Sequence, residues 1–228
     1  MLDKPHIDLL HIARRVWKLR LRRCNLTNLE EALLGIPRED DLPGALVPER
    51  FFSYLKTGDF GLFDDVLEHN AQDIASLCTL LAHMCRMYEN PEQLRFDEDV
   101  YSMGVALDRF RHTEEARRCY RLAGGSMHAQ GQERLAASYR RSGEKDAAAE
   151  VWQGMIARRE GGVTPYVELA KYYEHQKRDV PAALDMVRRA IAMVSEPTLF
   201  ADPSVQEAEN ALQYRYERLR RKLKRSNE

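Results

Sequence analysis

Cysteine is scarce in this 228-residue chain, and its four cysteines include no Cys-x-x-Cys pair. Cys24, Cys78, Cys85 and Cys119 are dispersed, so free buried thiols are expected ahead of metal ligands or disulfides. Long apolar runs are also missing. Nothing approaches the roughly 20 consecutive apolar residues of a membrane helix, and Met1-Leu2-Asp3-Lys4-Pro5-His6 lacks the apolar centre of a signal peptide. No membrane partner and a cytoplasmic location are expected. Charge of one sign is not in excess either: 35 Lys and Arg stand against 36 Asp and Glu, a net charge of −1. Local patches must therefore carry any binding of nucleic acid or anionic lipid. Absent as well are Gly-x-x-x-x-Gly-Lys, Gly-x-Gly-x-x-Gly, His-Glu-x-x-His and Gly-x-Ser-x-Gly. Nucleotide-dependent, zinc-protease and serine-hydrolase chemistry drop out with them.

What remains is 44% hydrophobic and 31% charged, enough to bury a core beneath a charged surface. The composition changes near position 90. Before it, prolines and glycines punctuate short mixed segments; after it, Ala-, Arg-, Glu- and Leu-rich stretches alternate with short breaks. In the first part His6-Ile7-Asp8-Leu9-Leu10 closes a strand, and Ile12, Ala13, Val16 and Trp17 have helical spacing. Thr27-Asn28-Leu29-Glu30 fits a capping box for a short helix that stops at Gly35 and Pro37. Pro48 opens another helix, through Phe51, Phe52 and Leu55, that ends at Gly58. The longest periodic run, from Leu62 to Met87, predicts one long helix with room for a bend near His69, closed by Asn90-Pro91.

The second part repeats itself. Ala116 with Tyr120, Ala148 with Trp152 and Ala183 with Val187 recur at a spacing of 32 and then 35 positions. Upstream of each lies a first helix with Met103-Gly104 and Leu107, Leu135-Ala136 and Tyr139, or Leu169-Ala170 and Tyr173. Over residues 97 to 194 this resembles the tetratricopeptide repeat (TPR). Its helix pairs need a small residue at the close approach and a large one a turn later. Val205, Ala208, Leu212, Tyr216, Leu219 and Leu223 then follow the spacing of a capping helix. Tyr120, Trp152, Tyr172 and Tyr173 are expected to pack in the repeats rather than to stack on bases.

Glu68-His69-Asn70-Ala71-Gln72-Asp73 is the sharpest local signal. His69 and Asp73 lie one turn apart on one helix face, with Asp65 a turn earlier. By spacing alone this describes a solvated polar face as readily as a site. The surrounding motifs add more. They are His6-Ile7-Asp8-Leu9-Leu10-His11 with Ala13-Arg14-Arg15, Leu26 to Glu30 with Leu34-Gly35-Ile36-Pro37-Arg38, Asp40-Asp41-Leu42-Pro43-Gly44, Tyr54 to Asp59, and Leu67 to Leu77. Through them the first 85 residues resemble the C-terminal part of the YprB-type ribonuclease H-like domains, relatives of the DEDD 3′ to 5′ exonucleases. The resemblance implies that Asp73 is the final metal-binding carboxylate and that His69 activates the attacking water. It implies magnesium or manganese once a complete site is assembled, and single-stranded nucleic acid as the partner.

Two divalent ions need several converging carboxylates, and the family's Asp-x-Glu and second acidic motif lie upstream of the point where this sequence starts. A fragment or mis-assigned start, a split gene and a non-catalytic remnant all fit. Asp8 is expected to be structural, and Asp40 and Asp41 to be loop residues. A ribonuclease H-like domain short of its central strands should expose apolar helix faces. The first 90 residues are therefore expected to be poorly packed, or paired with another chain, unless upstream sequence restores the sheet. Arg14, Arg15, Lys18, Arg20, Arg22 and Arg23 form a basic cluster that suits nucleic-acid phosphates or a solvated face equally. A second cluster, from Arg215 to Arg225, is read as a solvated face. The expected architecture is mainly α. Residues 1–90 are an incomplete ribonuclease H-like α/β remnant, and residues 91–228 a TPR-like α-helical repeat array with a capping helix. The expected function is nucleic-acid processing as part of a metal-dependent 3′ to 5′ exonuclease-like protein, inactive without the missing acids. The alternative is a non-catalytic scaffold that holds a protein segment on the repeat surface.

Overall fold

A computed structural model describes residues 7–38, 43–194 and 203–226. Two compact units divide the chain, Met1–Phe110 and Arg111–Glu228. Asp8 sets the first element of the front unit: its side chain accepts a hydrogen bond from the Leu10 amide at 2.9 Å and caps α1, Leu9–Leu21. The strand expected over His6–Leu10 is therefore not formed at Asp8 to Leu10, and His6 lies outside the described residues. Ile7, Leu9 and Leu10 read as alternation, but a carboxylate that can satisfy an orphan amide starts a helix there. No strand occurs among the described residues.

The next helix, α2, spans Leu26–Leu29 and runs on as a π-helical turn, Glu30–Leu34, ended by Gly35 in the left-handed region at φ 67°. The capping box is not formed. Asn25 precedes the helix without a side-chain cap bond, and Glu30 is buried against Arg38 instead of reaching back to the helix start. Guanidinium to carboxylate is the stronger, charge-assisted pairing. Pro48 lies in the first turn of α3, Val47–Thr57, and Gly58 closes it at φ 69°. The long helix α4 is uninterrupted over Asp64–Glu89 and stops at Asn90, before Pro91. It is followed by α5, Asp97–Arg109, which packs on α1. Here Ala13, Val16 and Trp17 are buried, as are Val100, Met103 and Ala106.

The helix α4 is apolar on two faces. Val66, Leu80, Met84 and Met87 are buried, whereas Leu67, Ile74, Leu77 and Leu81 are exposed, as are Phe51, Phe52 and Leu55 of α3. Cys78 and Cys85 lie on that exposed side. All four cysteines are free, as expected, but only Cys24 and Cys119 are buried. Burial pushes the Cys119 thiol up to about 12.

The second unit consists of α6 (Thr113–Leu122), α7 (His128–Arg141), α8 (Lys145–Ala157), α9 (Thr164–Tyr172), α10 (Val180–Val194) and α11 (Pro203–Ser226). Each packs on the next in sequence. The small residues Ala116, Ala136, Ala148, Ala170 and Ala183 are fully enclosed, and Tyr120, Trp152 and Val187 are buried with them. Close helix approach at small side chains leaves no room for a β-carbon branch. The helix α11 seats Leu212 and Leu219 in the core of α9 and α10, while Arg218 and Lys222 reach the buried Glu174. The Val205 side chain lies outside the described residues.

Candidate functional site

His69 and Asp73 project from adjoining turns of α4, with His69 Nε2 3.6 Å from Asp73 Oδ2. A third side chain joins them. Arg38, just past the Gly35 turn, donates through Nη2 to Asp73 Oδ1 and places Nη1 3.4 Å from His69 Nδ1. Its other edge is held by Glu30, with Nε to Oε2 at 2.5 Å and Nη2 to Oε1 at 2.9 Å. The Glu30 side chain is 0% exposed and that of Arg38 6%, against 32% for Asp73. A guanidinium donates only, so in this contact Nδ1 is the acceptor, and Nε2 is the ring nitrogen that faces Asp73. Asp65 is drawn elsewhere, into an ion pair with Arg50 Nε at 3.0 Å.

The sequence motif singles out His69 and Asp73, which the structure places side by side; it gives no role to Arg38, and the cap it suggests for Glu30 is not formed. The signal available was a Glu and an Arg flanking a Gly-Ile-Pro turn, which can bring them face to face. Asp40 and Asp41 lie outside the described residues.

The basic cluster sorts into two groups. Arg20 forks onto Asp99, Nε to Oδ1 at 2.9 Å and Nη2 to Oδ2 at 2.8 Å, and stacks 4.0 Å above the Phe96 ring. Asp99 is buried, and desolvation holds its carboxyl above the usual range despite Arg20. Arg15 lies 4.9 Å over the Phe110 ring. Arg14, Lys18, Arg22 and Arg23 instead line an open hollow of about 500 Å³ together with Cys24, Asn25 and Asn28. Burial raises the Cys24 thiol, and the nearby charges of Arg14 and Lys18 pull against that rise.

The family model of the RNase_H superfamily matches residues 2–85, the stretch that contains both groups. Uncharacterized protein YprB of Bacillus subtilis (strain 168) is 32% identical over 194 residues, 82% of this chain and 47% of the relative. The chain thus spans about half the length of that curated relative. No solved structure matches. With a family match across the hollow and the Glu30–Arg38–Asp73 cluster, and a relative aligned through most of the helices behind them, the chain belongs to the YprB-type ribonuclease H-like family.

Proposed function

We propose that the chain is the C-terminal portion of a metal-dependent 3′ to 5′ exonuclease-like protein that processes nucleic acid, with His69 and Asp73 as its share of the active site. One observation carries the reading. The two side chains singled out by the YprB-type motif are gathered, inside the matched segment, around a guanidinium anchored on a buried carboxylate. Magnesium and manganese favour several oxygen ligands. The donor set of these residues does not fit such an ion: Asp73 has one oxygen engaged by Arg38. Among the described residues no group of three or more His, Cys, Asp or Glu could hold a metal. On this reading the other carboxylates come from outside the chain, and the chain alone does not cut.

The test supplies an upstream Asp-x-Glu-bearing segment, fused or mixed, and follows digestion of end-labelled single strands with magnesium or manganese. Digestion by the assembly, lost in Asp73→Ala and His69→Ala and absent from the chain alone, is the expected result. Digestion indifferent to both substitutions overturns it.

A second reading, a repeat scaffold of the TPR type, is favoured by a hollow of about 220 Å³ between α7, α8 and α9. Ala148 and Trp152 line it together with Arg140, Glu168, Lys171 and Tyr172. Such a shape suits an apolar side chain of a bound protein segment. Under this reading Asp73→Ala and His69→Ala leave the protein's behaviour intact, and changes along α7 and α9 abolish partner capture.

A further inference from the structure

We propose that the hollow lined by Arg14, Lys18, Arg22 and Arg23 is a phosphate-backbone track for a single strand of nucleic acid, separate from the His69–Asp73 cluster and independent of metal. It rests on the nucleic-acid reading above and adds where the strand is held.

Three features of the hollow set it apart from a merely solvated helix face. First, its cations have no acid partner among the described residues. Arg20 and Arg15, from the same basic run, are taken up by Asp99 and by Phe110, but among the described residues none of the four lining cations pairs with an acid and no acid lines the hollow. Secondly, the backbone is shaped to gather them. Arg22 closes α1 at a positive φ of 62°, uncommon for a residue other than glycine. The chain then folds back, so that Cys24 Sγ lies 3.9 Å from the Ala13 carbonyl. That return brings Arg23, Asn25 and Asn28 to the same hollow as Arg14 and Lys18.

The third feature is spacing. Arg14 and Lys18 stand a four-residue step apart on α1, about 6 Å along its axis, and Arg22 follows at its C-terminal cap. A row at that step matches successive phosphates of an extended strand better than it matches one small anion. The side-chain amides of Asn25 and Asn28 add donors and acceptors for sugar or base edges. Trp17 is fully buried and offers no stacking platform, so the strand is gripped by its backbone with little sequence preference. Among the described residues no apolar side chain lines the hollow apart from the enclosed Cys24, which disfavours a membrane surface, where insertion accompanies charge.

The experiment is fluorescence anisotropy with the full chain and labelled oligothymidylate and oligouridylate of about 15 nucleotides, in EDTA and across a salt series. Binding is expected without metal. Arg14→Gln, Lys18→Gln and Arg23→Gln are each expected to weaken it several-fold and to flatten the salt dependence by about one unit of slope per cation. Exposed cations of the second unit, Arg220→Gln and Arg225→Gln, serve as controls and are expected to leave it unchanged. Melting curves of each variant separate lost binding from lost fold, since cations near the end of α1 also favour its dipole.

Equal weakening by hollow and control variants overturns the proposal, as does the absence of binding. Displacement by inorganic phosphate well beyond sodium chloride of equal ionic strength assigns the hollow to a free anion and overturns the strand. Capture by phosphatidylglycerol vesicles in place of oligonucleotide overturns it in favour of a lipid surface. Because every arm is run in EDTA, failure of metal-dependent digestion in the assembled protein leaves this result standing, and the converse also holds.

Discussion

Glu30 and Asp73 share a single guanidinium, that of Arg38. The two carboxylates differ in depth, Glu30 being 0% exposed and Asp73 32%, and the difference sets an order of stability among variants. Arg38→Met leaves a buried carboxylate short of its counter-charge, a change of about 3–5 kcal/mol in comparable cases. Asp73→Asn keeps the Arg38–Glu30 fork and is expected to cost less than about 1 kcal/mol. Urea unfolding followed at Trp17, in a Trp152→Phe background, reads the first unit alone. Equal costs for the two variants would show that the fork is not what anchors Arg38.

Acid acts in opposite directions on two buried carboxylates. Burial pulls the Glu174 carboxyl upward, but Arg218, His175 and Lys222 more than offset it and hold it below the usual range. The native state then binds fewer protons than the unfolded one, so this stabilisation is present above the ordinary value of about 4.3 and fades as pH falls through the depressed one. The seat of α11 should loosen in acid, and Glu174→Gln should remove that dependence. Asp99 is raised by burial. Its contribution is fullest below about 3.9 and declines as pH rises through the raised value. Melts between pH 3 and 7, read at Trp152 for one effect and Trp17 for the other, test both signs.

Helix ends were legible in the sequence because their causes are local. Gly35 and Gly58 adopt the left-handed turn the pattern asked of them, and Asn90-Pro91 stops α4. Features decided by a distant partner were not legible. Glu30 reads as a cap until Arg38 folds back over it. The six cations from Arg14 to Arg23 look alike until Asp99, 79 residues along the chain from Arg20, removes one of them. The exposed apolar faces of α3 and α4 were anticipated from the lack of strands. The start of α1 was misread because Ile7-Asp8-Leu9 alternates like a strand and also begins like a capped helix. His69 and Asp73 could be named from their motif, whereas their anchoring could not, since it needs a loop to close.

The four thiols should separate cleanly in reactivity. Cys78 and Cys85 are exposed on α4, while Cys24 and Cys119 are buried. With its thiol pushed up to about 12, Cys119 is thiolate in roughly one molecule in ten thousand at pH 8. A maleimide at pH 8 should therefore modify two cysteines quickly and the other two only after denaturation, as read by mass spectrometry of the labelled peptides. Rapid labelling of Cys119 in the folded chain would contradict its burial.

Leu80 and Leu81 are neighbours on α4 with opposite surroundings, 1% and 38% exposed. Truncating Leu80 to Ala removes packed contacts and should cost about 2–5 kcal/mol. Leu81→Lys, on the face shared with Leu67, Ile74 and Leu77, should change stability by no more than about 0.5 kcal/mol. It should also lower the binding of an apolar dye and the light scattering of concentrated solutions, because an apolar stripe of that length promotes association. Ile74→Lys should behave like Leu81→Lys. If instead Leu81→Lys unfolds the isolated chain as readily as Leu80→Ala, that face is already covered within these residues. Loss of stability from Leu81→Lys only in a longer protein would place its cover in the added chain.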